Sequence, residues 1–234
     1  MIVFNGVSLN SVADVKIEDV RVNPIEYYEI TRPRAIRGGS DFVRSRAGTR
    51  TVAITFALLD DNKVNRQKAL MAISTWAKND KEYKLELPGH PEHYLMAICT
   101  EKPDPSLRQW WESKLRLVFT CYENPYWNAL QEKTASFGTA FNILGDAEPL
   151  MRFEETLTSS SQARSYSDGT NTMVFTFGGA VSGNIVIDLN KQTAKVGNSS
   201  IMQYYNINSK FIVPKTGLMN IDGSGTIKYR ERWQ

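Results

Sequence analysis

Hydrophobic residues recur with a period of two along most of this 234-residue chain, the pattern of strands with one buried face. It starts in short bursts, "IVFNGVSL" and "VKIEDVRV". It is clearest in "RTVAITFALLD", where Val52, Ile54 and Phe56 alternate with Thr51, Ala53 and Thr55. Before that run stands "VNPIEYYEITRPRAIRGGSDFVRSRAGT", with Gly38 and Gly39 in its middle and Gly48 near its end. The spacing predicts a long hairpin arm: a strand, a glycine tip, and a return strand over "RTVAITFALLD". The period changes in "DDNKVNRQKALMAISTWAKND", where Leu70, Ile73 and Ala77 form a helical stripe with Trp76 beside it. Asp60, Asp61 and Asn62 are good N-terminal caps for that helix, and Asn79-Asp80 ends it. Three further strands are expected in "EYKLELPG", "HYLMAICTEK" and "KLRLVFTCY".

Regular alternation is lost in "ENPYWNALQEKTASFG", which places a boundary near residues 123 to 140. Two domains are expected, 1–130 and 131–234, the first α+β with one helix and a β-hairpin arm, the second all β. Turn signals beyond the boundary recur at the spacing of a β-sandwich. "NIVIDLNKQTAKVGNSS" reads as a hairpin, with Ile185 and Ile187 on one face, Ala194 and Val196 returning, and Asn190-Lys191 near the turn. "TSSSQARSYSDGTN" reads as a mobile loop.

Charge changes the picture at one place. The chain carries a formal +3, yet residues 31–51 hold six arginines (Arg32, Arg34, Arg37, Arg44, Arg46, Arg50) against Asp41 alone. A basic cluster on an otherwise slightly acidic chain fits a loop that meets one acidic partner better than a general nucleic-acid surface. No apolar run approaches the ~20 residues of a membrane helix, and the start has no leader pattern. These features, with Cys99 and Cys121 inside apolar runs, point to a protein made in a cytoplasm, its thiols buried and inert.

Candidate chemistry is sparse. The two histidines, His90 and His93, have a metal-like spacing, but Pro91 lies between them and no third ligand is near, so an exposed hairpin tip is expected. Neither a nucleophile elbow nor a phosphate loop occurs. Adjacent acids, Glu154 with Glu155 and Asp60 with Asp61, belong to no motif and are expected to be solvated. No cofactor and no metal is implied. The aromatic pairs "QWWES" and "QYYN" serve either as core and subunit contacts or as stacking platforms.

Together the landmarks resemble the distal tail proteins of siphophages that infect Gram-positive bacteria. "FNGVSL", "TRPRAIRGGSDF", "RQKALMAISTWAKND" and "CYENPYW" follow the order of that family's first domain. "VIDLNKQTAKVGNSSIMQYYNINSKFIVPKTGLMNIDGSGTIKYRERW" resembles its carboxy-terminal module almost from end to end. The chain departs from the family step at Asn208-Ser209-Lys210-Phe211, where Pro214 and Gly217 are spaced further on. The resemblance implies a virion protein of the tail tip. There a homo-hexameric ring joins the tail tube to the baseplate or receptor-binding apparatus, and a galectin-like or carbohydrate-module-like sandwich follows the ring domain. Tail-tube, tape-measure and tail-associated or receptor-binding proteins are the implied partners, with no membrane and no specific nucleic acid.

In such a ring the arginine arm serves subunit contact through Arg34, Arg37, Arg44 and Arg46, with Phe42 as apolar anchor and "KIEDV" or "LLDD" as the acidic complement. Alternatively the arginines line the ring's channel, where strongly basic walls would hold passing DNA. The rival to a structural role is a saccharide-binding module using Tyr204 and Tyr205. An enzyme would need a positioned acid or metal that no motif supplies.

Overall fold

The computed structural model describes residues 1–33, 40–104, 114–158, 162–179 and 181–234, with residues 30–33 and 40–46 described by their backbone. The chain divides into two compact units, Met1–Trp127 together with Gln234, and Asn128–Trp233.

The first unit opens with a tight hairpin, β1 (Val3–Phe4) and β2 (Val7–Ser8). Asn5 and Gly6 form its turn with φ of 51° and 76°, the left-handed pair that a two-residue hairpin turn requires. A short helix α1 (Leu9–Val12) leads to β3 (Val15–Val22), β4 (Tyr27–Pro33), β5 (Ser40–Ala47) and β6 (Arg50–Leu58). Helix α2 (Lys63–Trp76) and strands β7 (Tyr83–Glu86), β8 (His93–Glu101) and β9 (Leu115–Cys121) complete it. The antiparallel sheet runs β3-β6-β9-β8-β7-β1-β2.

The expected helix is α2. Asn62 caps it, accepting from the backbone N–H groups of Val64 and Asn65. Leu70, Ile73 and Ala77 are buried. Trp76 meets Phe4 and Phe119 edge-on at 5.7 and 6.2 Å, while its indole N–H donates to the Val7 carbonyl at 3.1 Å. Strands β8 and β9 are neighbours, but Cys99 stands opposite Phe119 rather than Cys121, and both thiols are free.

One expectation about the arm is corrected. The return strand of the hairpin is β5, whereas Arg50–Leu58 is a separate strand between β3 and β9. Gly48 and Thr49 break the chain between them, which lets the buried run of β6 enter the sheet while the ribbon leaves it.

The boundary falls within the short strand β10 (Trp127–Ala129). Beyond it come β11 (Lys133–Ser136), β12 (Phe141–Ile143), β13 (Ala147–Leu157), β14 (Ala163–Ser167), β15 (Thr172–Thr176), β16 (Gly183–Asp188), β17 (Thr193–Val196), β18 (Ser199–Ser200), β19 (Gly217–Met219) and β20 (Thr226–Trp233). The main sheet of this second unit runs β18-β17-β16-β13-β20-β11. Two small sheets, β14–β15 and β12–β19, share one core with it, built on Phe153, Tyr166, Phe175, Ile187 and Ile227.

The hairpin expected around Asn190 is present, with Ile185 opposite Val196 and Ile187 opposite Ala194. The expected loop over "TSSSQARSYSDGTN" is corrected: residues 163–167 form β14, and Tyr166 is fully buried. Serine and arginine neighbours mask this strand, whose single inward aromatic does the packing.

Candidate subunit interface

The arm is a two-stranded ribbon whose root is tied down and whose length is paired only with itself among the described strands. At the root, Asn23 N–H donates to the Thr51 carbonyl at 2.9 Å and its side-chain amide to the Thr51 hydroxyl at 2.7 Å. Glu26 exchanges backbone bonds with the strip that follows β5: its N–H donates to Thr49 at 2.9 Å, and its carbonyl accepts from Gly48 at 2.7 Å. Thr49 also donates its hydroxyl to the Glu26 carboxylate at 3.3 Å. Ile25 is buried beneath this knot, while Tyr27 and Tyr28 stand exposed above it.

From the root, β4 and β5 pair in antiparallel register from Tyr27 opposite Ala47 to Pro33 opposite Ser40. Ile30 stands opposite Arg44 but Thr31 opposite Phe42, so Val43 is the extra residue of a bulge. Of the expected contact residues, the backbone of Phe42, Arg44 and Arg46 lies on β5, and Arg34 and Arg37 lie outside the described residues. Trp110 and Trp111 also lie outside them.

Arg50 does not belong with the arm. It is the first residue of β6, 5% exposed, with its guanidinium carbon 5.9 Å from the centre of the Trp127 ring. The His90 ring lies tilted by 34° against the same ring, centroids 4.1 Å apart. Burial, then the charges of His93 and Arg50, hold its imidazole below the ordinary histidine range. These groups border a cavity of about 500 Å³ at the arm's root, together with Val22, Asn23 and Tyr27.

The acidic complements differ in their freedom. Asp60 is occupied in shaping the entry to α2, accepting from Asn62 N–H at 2.7 Å and the Asn65 amide at 2.8 Å. On β3, Ile17 stands opposite Phe56 and Asp19 opposite Thr55, which makes Glu18 a bulge residue. The bulge keeps Ile17 and Val20 inward and leaves both Glu18 and Asp19 exposed.

The second unit places Tyr204 and Tyr205 against its core. The Tyr204 ring lies 5.9 Å from Phe177, and Tyr205 lies 5.3 Å from Phe175 and 4.8 Å from Phe211. Both are half-buried, so packing already uses much of each ring.

Glu154 and Glu155, expected to be solvated, are both engaged. Glu154 bridges Lys228 and Arg152 at 2.7 Å each, and Arg152 also pairs with Glu132 at 2.8 Å. Hydrogen bonding from Lys228 and then Arg152 outweighs desolvation and holds the Glu154 carboxyl below its ordinary range. Glu155 takes an inward position in the series Met151, Phe153, Leu157 and accepts from Arg164, Tyr166 and Ser224. These are structural networks with every carboxylate matched to donors.

No family model matches the chain, and no curated protein matches it in sequence. Solved structures do. Chains of the phage P2 baseplate in its activated conformation, with Ca and with Sr, align over 94% of this chain and 91% of theirs at 8% identity. Their TM-scores of 0.43 and 0.44 are too low to carry weight. The SPP1 Dit protein, described as a paradigm of hub adsorption apparatus in phages infecting Gram-positive bacteria, aligns at TM-score 0.75 and 14% identity over 100% of this chain and 98% of that one. From end to end, this chain carries the mainly β fold of the SPP1 Dit protein.

Proposed function

We propose that this chain is a structural component of a phage tail tip, a ring-forming hub that joins the tail tube to the baseplate or receptor-binding apparatus. The observation that supports it best is the match to a hub protein over 100% of this chain and 98% of that one. Fold alone does not fix function, so the local features matter. The β4–β5 ribbon is the second support: a two-stranded hairpin is at best marginally stable by itself in water, and its charge and exposed Tyr27 and Tyr28 suit a neighbouring protein surface.

In this reading residues 1–130 form a homo-hexameric ring, with Arg34, Arg37, Phe42, Arg44 and Arg46 at the contact between subunits. Residues 131–234 form a galectin-like sandwich. Tail-tube, tape-measure and receptor-binding proteins are the neighbours, and the role is non-catalytic. Negative-stain electron microscopy of the concentrated protein tests it. Rings with an open centre are expected; dispersed single chains at every concentration contradict it.

A further inference from the structure

We infer that the free edge of β3 is the receptor for the arm: strand β5 of one copy lies along β3 of the next, with Arg44 and Arg46 meeting Glu18 and Asp19. The inference rests on the ring reading above and adds where on the neighbouring copy the arm docks.

Three observations on β3 carry it. It pairs only with β6, so one of its backbone edges has no ladder partner among the described strands. At eight residues it is a long edge, and long edges invite pairing with another chain unless they are covered. Its bulge sets two consecutive acids outward, where a regular strand would turn one of them in.

The arm supplies the counterpart. Strand β5 also has a single described partner, β4. Arg44 and Arg46 stand two residues apart, the period of one strand face. Pairing the two edges satisfies both rows of backbone groups, and opposite charges set the register, as cross-strand pairs do. Among the described residues Glu18 pairs with Lys114 at 3.2 Å. That lysine is 69% exposed, so the pair is weak and costs little to exchange for a guanidinium. Of the two acidic stretches that could serve, "LLDD" has its Asp60 committed to the entry of α2, which leaves β3.

A charge exchange tests this with the full chain. Arg44→Glu with Arg46→Glu, and separately Glu18→Lys with Asp19→Lys, should each weaken association at least about a hundredfold by light scattering. The fourfold exchange should restore assembly. If the arm pair alone breaks assembly and the β3 pair leaves it intact, the arm reading stands and β3 is not the receptor. If both break it and the fourfold variant stays dissociated, the pairing is also wrong. An arm pair that assembles normally, or a wild-type chain that never associates, overturns the arm reading together with this one.

A second measurement avoids dependence on charge. Asp19→Cys and Arg44→Cys proteins, mixed under mild oxidation, should cross-link to each other faster than either does to itself. Cys99 and Cys121 compete poorly, because burial pushes their thiols up to about 11 and about 12. Equal rates for like and unlike pairs contradict the contact.

Discussion

The hydroxyl of Tyr166, on β14, donates to the carboxylate of Glu155, on β13, at 2.9 Å beneath the surface of the second unit. Ser224 donates to the same carboxylate oxygen at 2.8 Å, and Arg164 neutralises the other. This one acid therefore ties β13 to β14 and to the turn before β20. Its side chain is 8% exposed, so removing it takes the carboxylate from a half-buried guanidinium and strands a buried hydroxyl. Glu155→Ala is expected to cost about 3 kcal/mol, and Tyr166→Phe about 1 kcal/mol. Urea unfolding of the full chain, followed by fluorescence, measures both. A Glu155→Ala chain as stable as wild type contradicts the assignment.

Gly225, in the turn that leads into β20, has a φ of +96°, and a Cβ there would overlap the backbone carbonyl of Glu154. Gly169 has a similar φ of +81° with open space around it. Alanine should cost about 3 kcal/mol at Gly225, where strain and overlap add. At Gly169, where strain acts alone, it should cost about 1 kcal/mol. Equal losses would show that the close approach of the two backbones contributes nothing.

The two cysteines contribute to the alkaline limb of stability. Burial raises the Cys99 thiol to about 11 and the Cys121 thiol to about 12, from an ordinary value of 9.0. The unfolded chain therefore loses these protons first as pH rises. The sign follows: stability is untouched below pH 9 and declines as pH climbs from 9 through the folded values. Unfolding midpoints measured from pH 7 to 11 should fall above 9, and Cys99→Ala with Cys121→Ala should flatten the fall. Iodoacetamide at pH 8 should label both thiols in urea far faster than in the folded protein.

At the arm's root, a Cβ on Gly48 would overlap the ring of Tyr28 and touch the Glu26 carbonyl. The Tyr28 side chain is exposed and able to swing away, so Gly48→Ala should change stability by no more than about 0.5 kcal/mol. Assembly should weaken all the same, because the displaced Tyr28 ring no longer presents the same surface beside the ribbon. Light scattering beside urea unfolding separates the two effects. Unchanged assembly would mean that the position of the Tyr28 ring is unimportant to the contact.

The sheet strands and the one long helix were legible because they follow the simplest rule: a single face is buried, and the period reports it. Arg50 shows how much more that rule contains. It occupies the same phase as Val52, Ile54, Phe56 and Leu58, all of them inward on β6. The alternation therefore already placed it in the core, yet its charge and its five basic neighbours drew it into the arm. Glu155 hid in the same way, inward in phase with Met151, Phe153 and Leu157. Strand β14 was missed for a different reason: five residues with one buried aromatic carry too little alternation to stand out from a serine-rich stretch. The bulge at Glu18 was beyond pattern reading, since it arises from how β3 meets β6. Contacts with another copy leave no period at all.

The proposed closure of this chain into a ring is tested most directly by native mass spectrometry across a range of protein and salt concentrations. A dominant species near six chains of 26.5 kDa is expected, weakened but not abolished as salt screens the arm. A single chain as the sole species at every concentration would contradict it.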